Sequence, residues 1–276
     1  MTTTTPVLAS LARPDTTRPL VPDVVRSEWT KLRSVRSTYW TLLAAAAAMV
    51  GLAGLLSAVY VNRYDTLSAA EKARFHPVVF SLNGLFLAQL AIGVLGVLVI
   101  TAEYTTGSIR STLAAVPQRA TVLAAKAAVF SAVTATVGIA ASFGAFFVGQ
   151  AILSGKGIGA NIGDPGALRA VVGAGLYLAV LGLLALGLGT LIRRTAGAIA
   201  AVFGLIFVLP GIVAALPSSW NTAISPYLPS NAGQAILGAG RGGAAALSPW
   251  VGFGVFCAYA AAALVASVIM LARRDA

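Results

Sequence analysis

Residues 169–192 read RAVVGAGLYLAVLGLLALGLGTLI, and no charged residue follows Arg169 before the stretch ends. An α-helix rises about 1.5 Å per residue, so roughly 20 apolar residues cross a bilayer core. This stretch meets that length and is apolar on all sides. A barrel strand would instead alternate apolar and polar residues over about ten positions. Five further stretches pass the same test, at about 39–61, 78–101, 121–153, 196–216 and 250–271. The third is long enough to begin outside the bilayer. The expected fold is therefore all-α: a polytopic membrane protein with six transmembrane helices.

Composition agrees. Of 276 residues, 58% are hydrophobic and 10% charged, and the mean hydropathy is +0.88. A soluble domain is roughly 45–50% apolar and about 25% charged, so a soluble enzyme, a disordered chain and a secreted disulfide scaffold are excluded. Cys257 is the single cysteine and cannot pair within the chain. One histidine, His76, and eight acidic residues offer little for a metal site, and none is expected. The first 38 residues contain no apolar segment, so no cleavable signal peptide is expected. The Thr- and Pro-rich residues 1–21 read as a disordered tail.

The net charge of +11 follows topology rather than a nucleic-acid footprint. The N-terminal segment, the second-to-third and fourth-to-fifth connections and the C-terminus carry thirteen Lys and Arg; the other connections carry six. By the positive-inside rule both termini are cytoplasmic, and an even number of spans is consistent with both lying on one side.

The spans hold no Asp, Glu or His away from their ends. That counts against a secondary carrier, which needs an intramembrane ionisable group, and against an intramembrane hydrolase. No catalytic residue is identified. Lys126 and Arg169 lie near span ends and are expected to snorkel. Asn83, Gln89 and Gln150 are the clearest polar residues within spans, and read either as interhelical hydrogen bonds or as the lining of a substrate path. Pro210 is expected to kink the fifth span. Around Gly155-Lys156 the spacing of a phosphate-binding loop fails. Residues 238–243 match a GxGxxG string, but no strand–helix unit surrounds them. No nucleotide site is expected.

Two segments outside the spans carry information. Residues 23–38 read DVVRSEWTKLRSVRST, with Val25, Trp29, Leu32 and Val35 at helical spacing. Trp29 suits the headgroup boundary, while Lys31, Arg33 and Arg36 suit lipid phosphates. The reading is an interfacial amphipathic helix over 22–38, with Asp23 as N-cap, leading into a transmembrane domain over 39–276. Residues 103–119 read EYTTGSIRSTLAAVPQR. Gly107 breaks the incoming helix, Thr106 or Ser108 can cap a new one, Ile109, Leu113 and Val116 form an apolar stripe, and Pro117 stops it. Such a knob between two spans has the shape of a docking element.

Taken with SPYLPSNAGQAI at 225–236, these segments in this order resemble the permease of a type-2 ABC transporter, of the actinobacterial exporter kind. The resemblance covers nearly the whole chain after the tail. It implies six helices per subunit, a homodimer or heterodimer of permeases, and docking on a separate cytoplasmic ATPase that binds the ATP. It places Glu103, Gly107, Arg110, Leu113 and Pro117 in the coupling region, makes 22–38 the connecting helix, and makes the segment 217–249 a partly re-entrant pair broken by Pro226, Pro229 and Pro249. It implies a multi-pass exporter subunit of the bacterial plasma membrane, in contact with lipid; a path lined by Ala, Gly, Val and Leu suits an apolar or amphipathic cargo. The competing reading is a membrane scaffold or anchor for a cytoplasmic partner.

Overall fold

The computed structural model describes residues 21–116, 118–238 and 247–273, without the side chain of Leu113. The tail at 1–20 and Pro117 lie outside the described residues. The described chain is helical throughout and contains no strand. Six stretches are long and apolar enough to cross a membrane: Arg36–Thr66, Leu85–Thr106, Arg119–Ser154, Ala167–Ile192, Thr195–Ala214 and Pro249–Arg273.

Helix α1 is Val21–Ser34. Pro22 occupies its first turn, where a missing N–H costs nothing, so the helix starts ahead of Asp23. Asp23 is thus a first-turn acid facing the helix dipole and not the N-cap. Val35 is extended and separates α1 from α2, Arg36–Arg63. The short helices α3, Ala69–Ala73, and α4, Pro77–Ser81, cross the far end. Ser68 and Glu71 form a reciprocal capping box at α3, and Ser68 holds the Glu71 carboxyl below its ordinary range.

The second span departs from the expected 78–101. Helix α4 stops at Ser81, and α5, Leu85–Thr106, starts after a turn at Asn83-Gly84. Continuous hydropathy hides this break. The Asn83 amide donates to the Phe80 carbonyl at 3.0 Å and closes the turn. Gly84 then meets α2 so closely that a Cβ would sit 2.3 Å from the Met49 carbonyl oxygen.

Helix α6, Ser108–Ala115, joins α5 to α7, Arg119–Ser154. Helix α8, Ala167–Ile192, is the centre of the bundle and packs on α5, on α7 and on the helices Thr195–Phe203 and Pro249–Arg273. Tyr177, Leu178, Leu181, Leu184 and Leu186 are buried along it. Helices of apolar residues gain little from the hydrophobic effect in lipid and associate by close packing of small residues. Here a Cβ on Gly175 would lie 2.4 Å from the Ile139 backbone nitrogen on α7. At its other end Arg169 folds its guanidinium against Gly166 and Gly238.

The fifth span begins as α9, Thr195–Phe203, widens to a π turn over Gly204–Val208, and ends as α10, Leu209–Ala214. Pro210 cannot donate to the carbonyl four residues back, and the helix widens immediately before it. After Pro217 come α11, Ser218–Ile224, a 3-10 turn at Ser225–Tyr227, and α12, Pro229–Gln234. Pro226 and Pro229 sit in first turns and start elements instead of breaking them, as does Pro249 in α13, Pro249–Arg273. The α12 region returns into the bundle: Ile236 packs on Gly173 of α8, and Gly252 of α13 meets the Ala232 carbonyl. The GxGxxG string runs out of the described residues after Gly238.

Candidate functional site

The most unusual chemistry lies where α1 crosses α5 and α7. Helix α1 turns Val24, Glu28 and Lys31 inward, at steps of four and three. Its other side leaves Trp29 49% exposed, with Arg33 also exposed; Arg36, expected in the same interfacial helix, is exposed at the start of α2. Val24 packs with Val122 and Ala125 of α7, and Val25 and Val116 cover them. That small apolar cluster seats α1 on the start of α7.

One turn further along, four charged groups meet. The Lys126 ammonium on α7 donates to Glu28 Oε2 on α1 at 2.5 Å and to Glu103 Oε1 on α5 at 2.8 Å. Lys31 donates to Glu28 Oε1 at 2.6 Å, lies 3.4 Å from Glu103 Oε1, and donates to Thr112 Oγ1 of α6 at 3.2 Å. The Lys126, Glu28 and Glu103 side chains are only 5%, 3% and 12% exposed. Buried charges are tolerated when paired and hydrogen-bonded, and here two carboxylates balance two ammonium groups. Burial alone would lower the Lys31 pKa, but the hydrogen bonds and charges of Glu28 and Glu103 outweigh it and leave the pKa raised.

This corrects the expectation for Lys126. It does not snorkel; two carboxylates lie within hydrogen-bond reach of its buried ammonium, so it has no need of the interface. Sequence reasoning missed Glu28 and Thr112, and gave Lys126 a different role. A signal existed: Glu28 is an acid within a basic segment, and Lys126 is a cation inside an apolar helix. A charge in such a run asks for a partner.

Around α6 the backbone follows the residue types. Gly107 has φ of 72°, and nothing lies within 4 Å of the place its Cβ would take. It ends α5 and caps α6 without any side-chain cap. Thr106 bonds instead to the Ala102 carbonyl and to Ser108, so neither hydroxyl caps α6 as expected. Ile109 is buried and Arg110 is exposed. Leu113 lies in α6 with its side chain outside the description, as Pro117 is entirely. Arg119 donates to the Leu271 carbonyl and ties the start of α7 to the end of α13. Nearby, Arg193 takes a positive φ of 60° and lies over the Tyr104 ring at 5.3 Å.

The remaining polar candidates lie elsewhere. Gln89 accepts a hydrogen bond from the Tyr177 hydroxyl at 2.7 Å, deep between α5 and α8. Gln150 donates to the Pro77 carbonyl and to Ser81 Oγ, both at 3.0 Å, and accepts from the Ala160 N–H at 2.7 Å. It binds α7, α4 and the following loop together. Asn83 and Gln89 border a cavity of only about 10 Å³. A larger cavity, about 450 Å³, adjoins the charge cluster and is bordered by α1, α2, α5, α6 and α7. His76 is exposed between α3 and α4. Among the described residues no group of His, Cys, Asp and Glu could hold a metal ion.

Residues 24–211 of this chain match the family model described as ABC-2 family transporter protein. The matched stretch takes in α1 from Val24 onward, the whole charge cluster and the first four spans, and ends within α10. No curated protein matches the chain.

Proposed function

The chain belongs to the ABC-2 transporter family, and from that premise we propose that it is an exporter permease driven by a separate cytoplasmic ATPase. It is the multi-pass membrane subunit of an ABC transporter. In the proposed arrangement it sits in the bacterial plasma membrane with both termini cytoplasmic, since the positive-inside count places α1 and α6 on that side. ATP binds the partner, and two permease subunits pair to enclose the path. The cargo is apolar or amphipathic, because the spans offer mostly Ala, Gly, Val and Leu and no charged relay through their middles.

One observation carries the coupling reading. Glu28, Lys31, Glu103, Lys126 and Thr112 join α1, α5, α7 and α6 into a single hydrogen-bonded body. Arg110 is exposed on the same α6. A soluble partner pressing on α6 therefore moves α5 and α7 together and not one loop alone. Closure of the partner around ATP biases the bundle between inward- and outward-facing arrangements through that contact.

Co-purification from native membrane in mild detergent tests the proposal. A stoichiometric ATPase is expected with the intact chain. Arg110→Glu is expected to lose that partner, or its stimulated ATP hydrolysis, while inserting normally. A chain that purifies alone, or ATP hydrolysis indifferent to Arg110→Glu, overturns the coupling role of α6. A stoichiometric partner without ATPase activity supports the scaffold reading instead.

A further inference from the structure

Helix α1 has four different sides, and the buried charge cluster uses only one of them. At about 100° per residue, Arg26 and Arg33 form an outward ridge about 170° from the buried Val24 and Glu28. Trp29 lies on one flank of that ridge, with the half-buried Val25 and Leu32. The opposite flank carries Asp23, Ser27, Thr30 and Ser34, all exposed. A helix lying in a membrane surface needs this order: an apolar flank toward the acyl chains, a polar flank toward water, and cations between them at the phosphates. Position agrees. Only Val35 separates α1 from the spanning stretch Arg36–Thr66. Tyr39 and Trp40 are 51% and 70% exposed at the start of that stretch, and such residues favour the headgroup level.

The cations around α1 divide into two groups. Lys31 and Lys126 are engaged by Glu28 and Glu103, and Arg119 by the Leu271 carbonyl. The side chains of Arg26, Arg33 and Arg36 are exposed and have no ion pair or hydrogen bond among the described residues. Lys31 therefore leaves the set expected to meet lipid, and Arg26 joins it. Unpaired guanidinium groups beside a span attract an anionic surface. An acidic protein would match the ridge alone, whereas the Trp29 flank and the adjoining span match a bilayer as well. We propose that Arg26 and Arg33, together with Arg36, bind the headgroups of anionic phospholipids, with Trp29 anchored beside them. The inference concerns the outer side of α1 and does not depend on an ATPase.

The test uses the full chain in phosphatidylcholine nanodiscs holding a small fraction of phosphatidylglycerol with a photoactivatable group close to its headgroup. Labelling of residues 21–38 is expected. A phosphatidylcholine probe with the same group is expected to label that segment at least about fivefold less, the factor one arginine contributes at an anionic surface. Arg26→Gln with Arg33→Gln is expected to remove most of that difference. Arg26→Lys with Arg33→Lys is expected to keep it, because a charged surface does not require a guanidinium fork. Both double variants are expected to melt at the parent's temperature, since neither side chain is engaged within the fold. Inorganic phosphate is expected not to compete, which separates a lipid surface from a site for the free ion. Equal labelling by the two probes overturns the proposal. So does a preference that survives Arg26→Gln with Arg33→Gln, or competition by phosphate equal to that by phosphatidylglycerol. Labelling by neither lipid also overturns it, and protection of 21–38 by a co-purified soluble protein then assigns the ridge to that protein. Because no ATPase is present, failure here leaves the coupling reading and its Arg110→Glu test untouched.

Discussion

The middle of the bundle and its α1 end use opposite means of holding helices together. In the middle, α8 approaches its neighbours through glycine, and the polar contacts are neutral: Tyr177 to Gln89, and Ser267 of α13 to the Gly187 carbonyl at 2.8 Å. At the α1 end, four charged side chains from three helices share a largely buried space. The difference teaches where each strategy is affordable. Neutral hydrogen bonds between membrane helices contribute modestly, about 0.6 kcal/mol on average. A buried ion pair adds little net stability when whole, yet losing one partner costs about 3–5 kcal/mol. The middle is therefore forgiving of change and the charged end is not.

The largest effect is expected from Lys126→Met. It removes the buried cation shared by Glu28 and Glu103 and leaves them only the half-exposed Lys31. A loss of about 3–5 kcal/mol is expected, read from unfolding of the detergent-solubilised protein. Combining it with Glu28→Gln and Glu103→Gln is expected to restore part of the loss, since the uncompensated carboxylates are then gone. A single variant as stable as the parent would mean that the cluster is hydrated and not a buried knot.

Gly107→Val is expected to have an intermediate effect. Nothing crowds the position, so any penalty comes from the backbone: a left-handed φ costs a β-branched residue about 1–2 kcal/mol or more. The damage is expected to be local, shifting α6 relative to α5 with little change in the melting of the middle. Proteolysis at 103–119, compared with global unfolding, measures it. Global destabilisation equal to that of Lys126→Met would show that α6 is part of the cooperative core.

The contrast also explains what could be read from sequence. The six spans were legible because lipid imposes a length and a composition that 169–192 and its counterparts satisfy openly. Gly107 was legible because only glycine makes a left-handed helix end cheap. The α4–α5 break was not, because hydropathy runs unbroken through Val78–Leu82 and the break depends on an Asn83 turn and on Met49 of another helix. The charge cluster was half legible. Glu103 and Lys31 stood in segments already singled out, but for different reasons, and their meeting with Glu28 and Lys126 depends on how α1 crosses α7. Sequence spacing within a helix reveals which residues share a face; it does not reveal which face meets which.

The smallest effect is expected from Tyr177→Phe. The ring is fully buried and stacks on Phe256 with centroids 5.0 Å apart, and phenylalanine preserves that packing. The hydroxyl is lost, with its bond to Gln89 and its hydrogen bond with Gln234. The expected cost is about 0.6 kcal/mol, because a side-chain amide released within a helix bundle finds other partners. Gln89→Leu added to Tyr177→Phe is expected to cost little more, since both ends of that bond are then apolar and Gln234 has already lost the hydroxyl in the single variant. A double-mutant cycle on this pair, set beside the cycle on Glu28 and Lys126, measures the difference between the two regions directly. Equal coupling energies would remove the distinction drawn between them. A coupling several times larger for the charged pair would assign the rigidity of the α1 end to its buried charges, with the middle held chiefly by the close approach of α8.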